Sequence, residues 1–142
     1  MGKLAIIYGT GFGNTGLMAK AIEEGAKSAG VEVTLKAVKM ASISDVEEAD
    51  AIAIGSATYK GMAMPDVIEF VKGMAGLSLE GKVGTTFGSY GWSGEAPGVI
   101  SGMLKGYGMD VIEPPLRIKR RPAEAGLEEC RQLGVQIAGK LK

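Results

Sequence analysis

The residues best suited to chemistry lie in three loops, the first of which reads Gly9-Thr10-Gly11-Phe12-Gly13-Asn14-Thr15-Gly16. Glycines let the backbone turn sharply and present N–H groups, a helix starting here adds the partial positive charge of its N-terminus, and Thr10, Asn14 and Thr15 offer side-chain donors. The result is a cradle for an anion. It contains no Lys or Arg, so neutral donors and dipoles must do the holding. That suits a terminal phosphomonoester better than a nucleoside triphosphate, which also needs Lys and Mg²⁺. Gly11 to Gly16 formally matches the dinucleotide fingerprint G-x-G-x-x-G, but that fingerprint wants an acid at the end of the second strand, and here the strand ends in Lys36, Ala37, Val38 and Lys39. NAD is therefore disfavoured. A Walker A reading fails because Gly16 is followed by Leu17 and Met18. A tight turn that binds nothing is the plain alternative.

The other two loops are Ser56-Ala57-Thr58-Tyr59-Lys60-Gly61 and Gly88-Ser89-Tyr90-Gly91-Trp92-Ser93-Gly94-Glu95. Each joins aromatic residues to small hydroxyl residues and glycines, the composition expected to sandwich a flat conjugated ring while backbone groups read its edges. Trp92 is the only tryptophan in the sequence. The competing reading is that Tyr59, Tyr90 and Trp92 plug the core at loop ends. Gly61 can take positive φ at little cost, so the Lys60–Gly61 peptide could present either N–H or C=O to a ring edge, or simply complete a turn.

Composition removes several classes of chemistry. With no histidine and the single cysteine Cys130, the sequence can supply no His-based metal site, no Ser-His-Asp or Cys-His catalysis, no internal disulfide and no Cys-held cluster. Neither metal ligands nor catalytic residues are expected, and any redox chemistry has to come from a bound organic cofactor. Sixteen basic and sixteen acidic residues cancel. Residues 1–100 hold 8 basic against 11 acidic and residues 101–142 hold 8 against 5, much of the later excess being Arg117, Lys119, Arg120 and Arg121. On strand alternation that run would be a solvated edge or a docking patch, with the solvated edge preferred. Apolar runs such as Leu4 to Tyr8 and Ala51 to Ile54 fall far short of a bilayer span. Neither a secretory signal nor a myristoylation site is expected: only Lys3 precedes the first apolar run, no cleavage region follows it, and the Ser/Thr position of the myristoylation motif is Ile6. A reducing cytoplasm, with no membrane and no nucleic acid as partner, fits.

These loops need elements to hold them. Strands are expected at Lys3 to Tyr8, Val31 to Val38, Asp50 to Ser56, Lys82 to Ser89 and Asp110 to Ile118, alternating with helices near Thr15 to Ala29, Ser44 to Ala49, Pro65 to Met74, Pro97 to Tyr107 and Pro122 to Leu141. Leu17, Ala21 and Ile22 give the first helix its apolar spacing, and Leu133, Ile137 and Leu141 the last. The strands at 3, 50 and 82 are apolar or small on both faces, as parallel strands covered by helices on each side must be. Five βα units in 142 residues predict a single α/β domain over residues 1–142, a doubly wound five-stranded parallel sheet of order 2-1-3-4-5 with right-handed crossovers. Ligands of such sheets sit beyond the strands' carboxyl ends where strand order reverses, which is where all three loops fall.

With these residues in place the sequence resembles a flavodoxin, and most closely the flavodoxin domain of the A-type flavoproteins, the diiron flavoproteins that reduce oxygen or nitric oxide. The resemblance runs over essentially the whole sequence and rests on three motifs in order: Tyr8 to Thr15, Gly55 to Gly61 and Phe87 to Gly94. It implies a flavodoxin-like fold and FMN as cofactor. The phosphate would lie at Thr10, Gly13, Asn14 and Thr15, and the isoalloxazine between the loops bearing Tyr59 and Trp92. The implied contacts are Thr10, Gly11, Phe12, Gly13, Asn14 and Thr15 in the first loop, Ser56, Ala57, Thr58, Tyr59, Lys60 and Gly61 in the second, and Ser89, Tyr90, Gly91, Trp92 and Gly94 in the third. Two departures matter. The diiron ligands of those flavoproteins cannot come from a sequence without histidine, and the charge is balanced where many free-standing flavodoxins are strongly acidic.

The function expected is that of an electron carrier. Bound FMN would cycle between quinone, semiquinone and hydroquinone and pass electrons between a redox donor and acceptor, with no side chain acting as acid or base. The alternative is an FMN-dependent NAD(P)H:quinone reductase of the same fold, which would want an inserted loop or a neighbouring subunit to build a nicotinamide pocket. A flavin-free phospho-receiver is a third class. It needs clustered acids at the ends of strands 1 and 3, where this sequence has Tyr8-Gly9-Thr10 and Gly55-Ser56-Ala57.

Overall fold

A computed structural model describes residues 2–9 and 13–141 of the chain. The strands are β1 (Lys3–Gly9), β2 (Glu32–Ala37), β3 (Ala51–Ser56), β4 (Thr58–Tyr59), β5 (Met62–Ala63), β6 (Val83–Tyr90), β7 (Asp110–Val111) and β8 (Leu116–Lys119). The helices are α1 (Asn14–Ser28), α2 (Ile43–Glu47), α3 (Pro65–Lys72), α4 (Glu95–Gly106) and α5 (Glu124–Lys140). β2, β1, β3 and β6 lie side by side in that order, all parallel, and β7 and β8 pair with β6 on its far side. This is the expected 2-1-3-4-5 arrangement, with the fifth place shared by two short strands.

That sharing corrects the single strand expected over Asp110 to Ile118. Pro114 and Pro115 interrupt it: proline has no N–H to give the ladder, so pairing stops after Gly84↔Val111 and resumes at Phe87↔Leu116. A second difference is the hairpin formed by β4 and β5, whose register Thr58↔Ala63 and Tyr59↔Met62 leaves Lys60 and Gly61 as a two-residue turn. Both turn residues have positive φ, 51° and 74°, which is the geometry that matches strand twist in a tight hairpin. Two paired residues on each side are too few to show as an alternating pattern.

The apolar strands pack on both faces. Leu4 and Ile6 of β1 join Met18, Ile22, Leu133 and Ile137 under α1 and α5, while Ala5 and Ile7 join Val67, Val71, Ile100 and Leu104 under α3 and α4. Each large side chain so buried contributes about 1.5 to 3 kcal/mol. The buried residues of α1 are Thr15, Met18, Ala19, Ala21, Ile22, Gly25 and Ala26, which include the expected Ala21 and Ile22, while Leu17 is only half-buried. α1 and α5 cross at close range through two glycines. A Cβ on Gly25 would collide with the Arg131 carbonyl, and one on Gly134 would collide with the Ile22 carbonyl and lie 2.6 Å from the Ala26 nitrogen. This crossing fixes the axis of α1, and therefore where its N-terminus points.

Candidate functional site

α1 begins where β1 ends, at the reversal of strand order. Gly13 precedes it with φ 88°, a left-handed conformation that is cheap only for glycine, and the Leu17 N–H donates to the Gly13 carbonyl at 3.0 Å to close the first turn. The first turn carries no acid, so no carboxylate of the helix's own first turn opposes the positive end of its dipole. Thr10, Gly11 and Phe12 lie outside the described residues.

Three hydroxyl side chains bind the loops to one another. Thr15 is buried, 1% exposed, and its Oγ1 accepts the Ser89 N–H at 3.3 Å. That joins the start of α1 to the end of β6 and leaves the Thr15 hydroxyl proton to be donated elsewhere. Ser89 Oγ donates to the Arg120 carbonyl at 2.7 Å, and the Arg120 N–H donates to the Tyr90 carbonyl at 2.6 Å. The segment after β8 is thus clamped to β6. Thr58 Oγ1 accepts the Ala96 N–H at 3.0 Å; Gly94, which precedes α4, has no side chain to cap it, so the hairpin supplies the cap from across the site.

These ties enclose a cleft of about 370 Å³, within the range of small-ligand sites. Asn14 and Thr15 form its end at α1, Ala57, Thr58, Tyr59 and Lys60 one wall, and Ser89, Tyr90, Gly91 and Trp92 the other, with Arg120 alongside. Trp92 is 94% exposed and Tyr59 is 41% exposed, so neither plugs the core. Two aromatic side chains facing water beside an apolar cleft are surfaces for a flat ring.

Most of the residues expected at the site converge on it. Ser56 does not line the cleft: it is wholly buried, with Oγ accepting the Met64 N–H at 3.0 Å and donating to the Ala57 carbonyl at 2.8 Å, and so it anchors the hairpin. Gly61 and Gly94 likewise stand outside the walls, in the turn and at the start of α4. Arg120 was missed. The basic run looked like alternation along an edge, and Arg117 and Lys119 do face solvent from β8. The strand stops at Lys119, however, and Arg120 turns into the left-handed region at φ 60° to reach the cleft. Its position just past a strand's carboxyl end was the available signal. Cys130 does not line the cleft; it lies on the buried face of α5, its thiol pushed up to about 12 by desolvation, and so it holds no thiolate at neutral pH.

A doubly wound parallel sheet with a helix start and an aromatic cleft at its switch point has the layout of a mononucleotide-binding α/β protein. The flavodoxin family model matches residues 6–134, and the chain belongs to the flavodoxin family, whose cofactor is FMN. It is 39% identical to the type A flavoprotein fprA of Rhodobacter capsulatus over 97% of its own length and 33% of that protein's. It is 33% identical to the rubredoxin-oxygen oxidoreductase of Megalodesulfovibrio gigas over 99% of its length and 36% of that protein's. The chain therefore spans about a third of the length of these relatives. Among solved structures, a flavodoxin from the domain Archaea superposes with TM-score 0.95 at 38% identity, covering 98% of both chains. Among the described residues, no helix is long and apolar enough to cross a membrane.

Proposed function

We propose that this chain carries electrons between redox proteins through FMN held in the cleft. The observation that supports this most directly is the joining of a helix N-terminus whose first turn carries no acid to a ring-sized cleft with exposed aromatic walls. Asn14 and Thr15, with Thr10, would donate to the phosphate, and Gly11, Phe12 and Gly13 would bring backbone N–H groups to it. Ala57, Thr58, Tyr59 and Lys60 would lie on one side of the ring and Ser89, Tyr90, Gly91 and Trp92 on the other. Ser56, Gly61 and Gly94 would act by shaping the loops. When bound, FMN supplies one- and two-electron chemistry; the chain's own part is to bind it, keep water from one face and set its orientation. The oxygen chemistry in one relative's name belongs to a protein about three times as long.

The test is reconstitution. Purified protein mixed with FMN and desalted should keep flavin absorbance, and Trp92 fluorescence should be quenched in the bound form and recover on flavin removal. The reduced protein should pass electrons to an added redox protein, while NADH and NADPH should bleach the flavin only slowly. Loss of flavin on desalting would refute the cofactor assignment, and rapid bleaching by a nicotinamide would refute the carrier role in favour of a reductase.

A further inference from the structure

Among the described residues, the cleft is lined by two cations, Lys60 and Arg120, and by no acid. The two belong to different ends of it. Lys60 is at the tip of the hairpin, and Thr58 ties that hairpin to the start of α4 through the Ala96 N–H. Arg120 belongs to the end at α1. Its carbonyl accepts the Ser89 hydroxyl at 2.7 Å, and the Ser89 N–H donates to Thr15 Oγ1 at 3.3 Å. A single residue therefore links the backbone of Arg120 to the first turn of α1.

That placement is enforced. Arg120 has φ 60°, a left-handed conformation that is unfavourable for a residue with a Cβ and persists only where the surroundings impose it, as they often do at ligand sites. Here its N–H is held by the Tyr90 carbonyl and its own carbonyl by Ser89, both in β6. Pro122, which is buried, anchors the chain two residues later. The Arg120 side chain is exposed and makes no ion pair among the described residues. Basic residues without an ion pair occur elsewhere, Lys20, Lys39 and Lys72 among them, so the missing partner decides nothing by itself. A pinned backbone at the α1 end of the cleft is what sets Arg120 apart.

The charge balance of that end supplies the reason. A phosphomonoester carries about 1.5 to 2 negative charges at pH 7, whereas a helix N-terminus offers about half a positive one. The loop from Gly9 to Gly16 holds no Lys or Arg, so about a full charge has to be met from elsewhere. A guanidinium stays protonated at any working pH and matches phosphate oxygens with paired N–H groups.

We infer that Arg120 is the counter-charge of the cofactor's phosphate, carried to the α1 end of the cleft from a distant part of the sequence, and that it selects FMN over unphosphorylated flavin. The inference rests on the cleft holding FMN.

The experiment titrates the flavin-free protein with FMN and with riboflavin at about 0.05 M and about 0.5 M salt, following the quenching of flavin fluorescence. Arg120→Gln keeps most of the side chain's reach and removes its charge. At low salt it should weaken FMN about tenfold, a charged hydrogen bond discounted for solvent exposure, and change riboflavin less than about twofold. Arg120→Lys should recover most of the loss. High salt should weaken FMN more in the parent than in Arg120→Gln. Arg121→Gln, one residue on but outside the cleft, should leave both affinities unchanged, and riboflavin binding doubles as the check that the cleft is intact. A parent that holds no flavin defeats the cleft assignment itself. A parent that holds FMN no more tightly than Arg120→Gln does defeats the counter-charge alone. Equal losses for FMN and riboflavin would put Arg120 at the ring and overturn the inference, as would an equal loss in Arg121→Gln, which would make the effect one of diffuse surface charge.

Discussion

Replacing Thr15 with Val keeps the side chain's shape and removes one oxygen, which ties α1 to β6 and which, in the proposed function, would also donate to the phosphate. Oγ1 accepts the Ser89 N–H at a position where Thr15 is 1% and Ser89 is 5% exposed. Water cannot replace the lost partner, so the flavin-free protein should lose about 1 to 3 kcal/mol of stability. The hydroxyl proton would donate to the FMN phosphate, a bond to a charged group worth about 1.5 to 3 kcal/mol. Losing it should weaken FMN by about tenfold to 150-fold. Riboflavin has no phosphate and should lose far less. Quenching of flavin fluorescence gives both affinities, and urea unfolding of the flavin-free protein gives the first term separately. Thr15→Ser, which restores the hydroxyl, should recover most of the difference between the two flavins. Equal losses for FMN and riboflavin would refute the phosphate role and leave Thr15 as a structural tie between α1 and β6.

Gly134→Ala should destabilise by about 2 kcal/mol or more, since its Cβ would be driven into the Ile22 carbonyl and the Ala26 nitrogen of α1; an unchanged urea midpoint would mean the two helices do not cross this closely. Thr85 Oγ1 is buried with no hydrogen-bond partner among the described residues, so Thr85→Val should raise stability by about 1 kcal/mol, read as a higher midpoint with an unchanged slope. The Asp45 carboxyl is held below its usual range by the Ser42 N–H and by Lys36, against an opposing desolvation. A lowered folded-state pKa means the stabilisation is complete above about pH 4 and is lost as pH falls through the folded-state value. Asp45→Asn should therefore be less stable than the parent at pH 7, with the gap closing as pH falls through the folded-state value, and a gap that does not change with pH would show that the carboxylate charge is not what acts.

Local pattern was enough for the sheet's main strands and the helices. Runs such as Leu4 to Ile7 and Ala51 to Ile54, short, apolar on both faces and bounded by turn residues, read as buried parallel strands, and the glycine-rich turn into a helix points to a candidate anion site through backbone chemistry that no distant residue has to supply. Tertiary structure decided what depends on partners far apart in the chain. Ser56 and Thr58 look alike in sequence, yet one anchors a hairpin from inside the core while the other caps α4 from a cleft wall. The hairpin itself shows only when Thr58 is brought against Tyr90, because two-residue strands carry no period. Arg120 became a wall of the cleft because Ser89 and Tyr90, some 30 residues earlier, bend its backbone into the left-handed region. Side-chain type and spacing state what a residue can do, whereas which neighbour claims its donor or acceptor is settled only when the chain closes on itself.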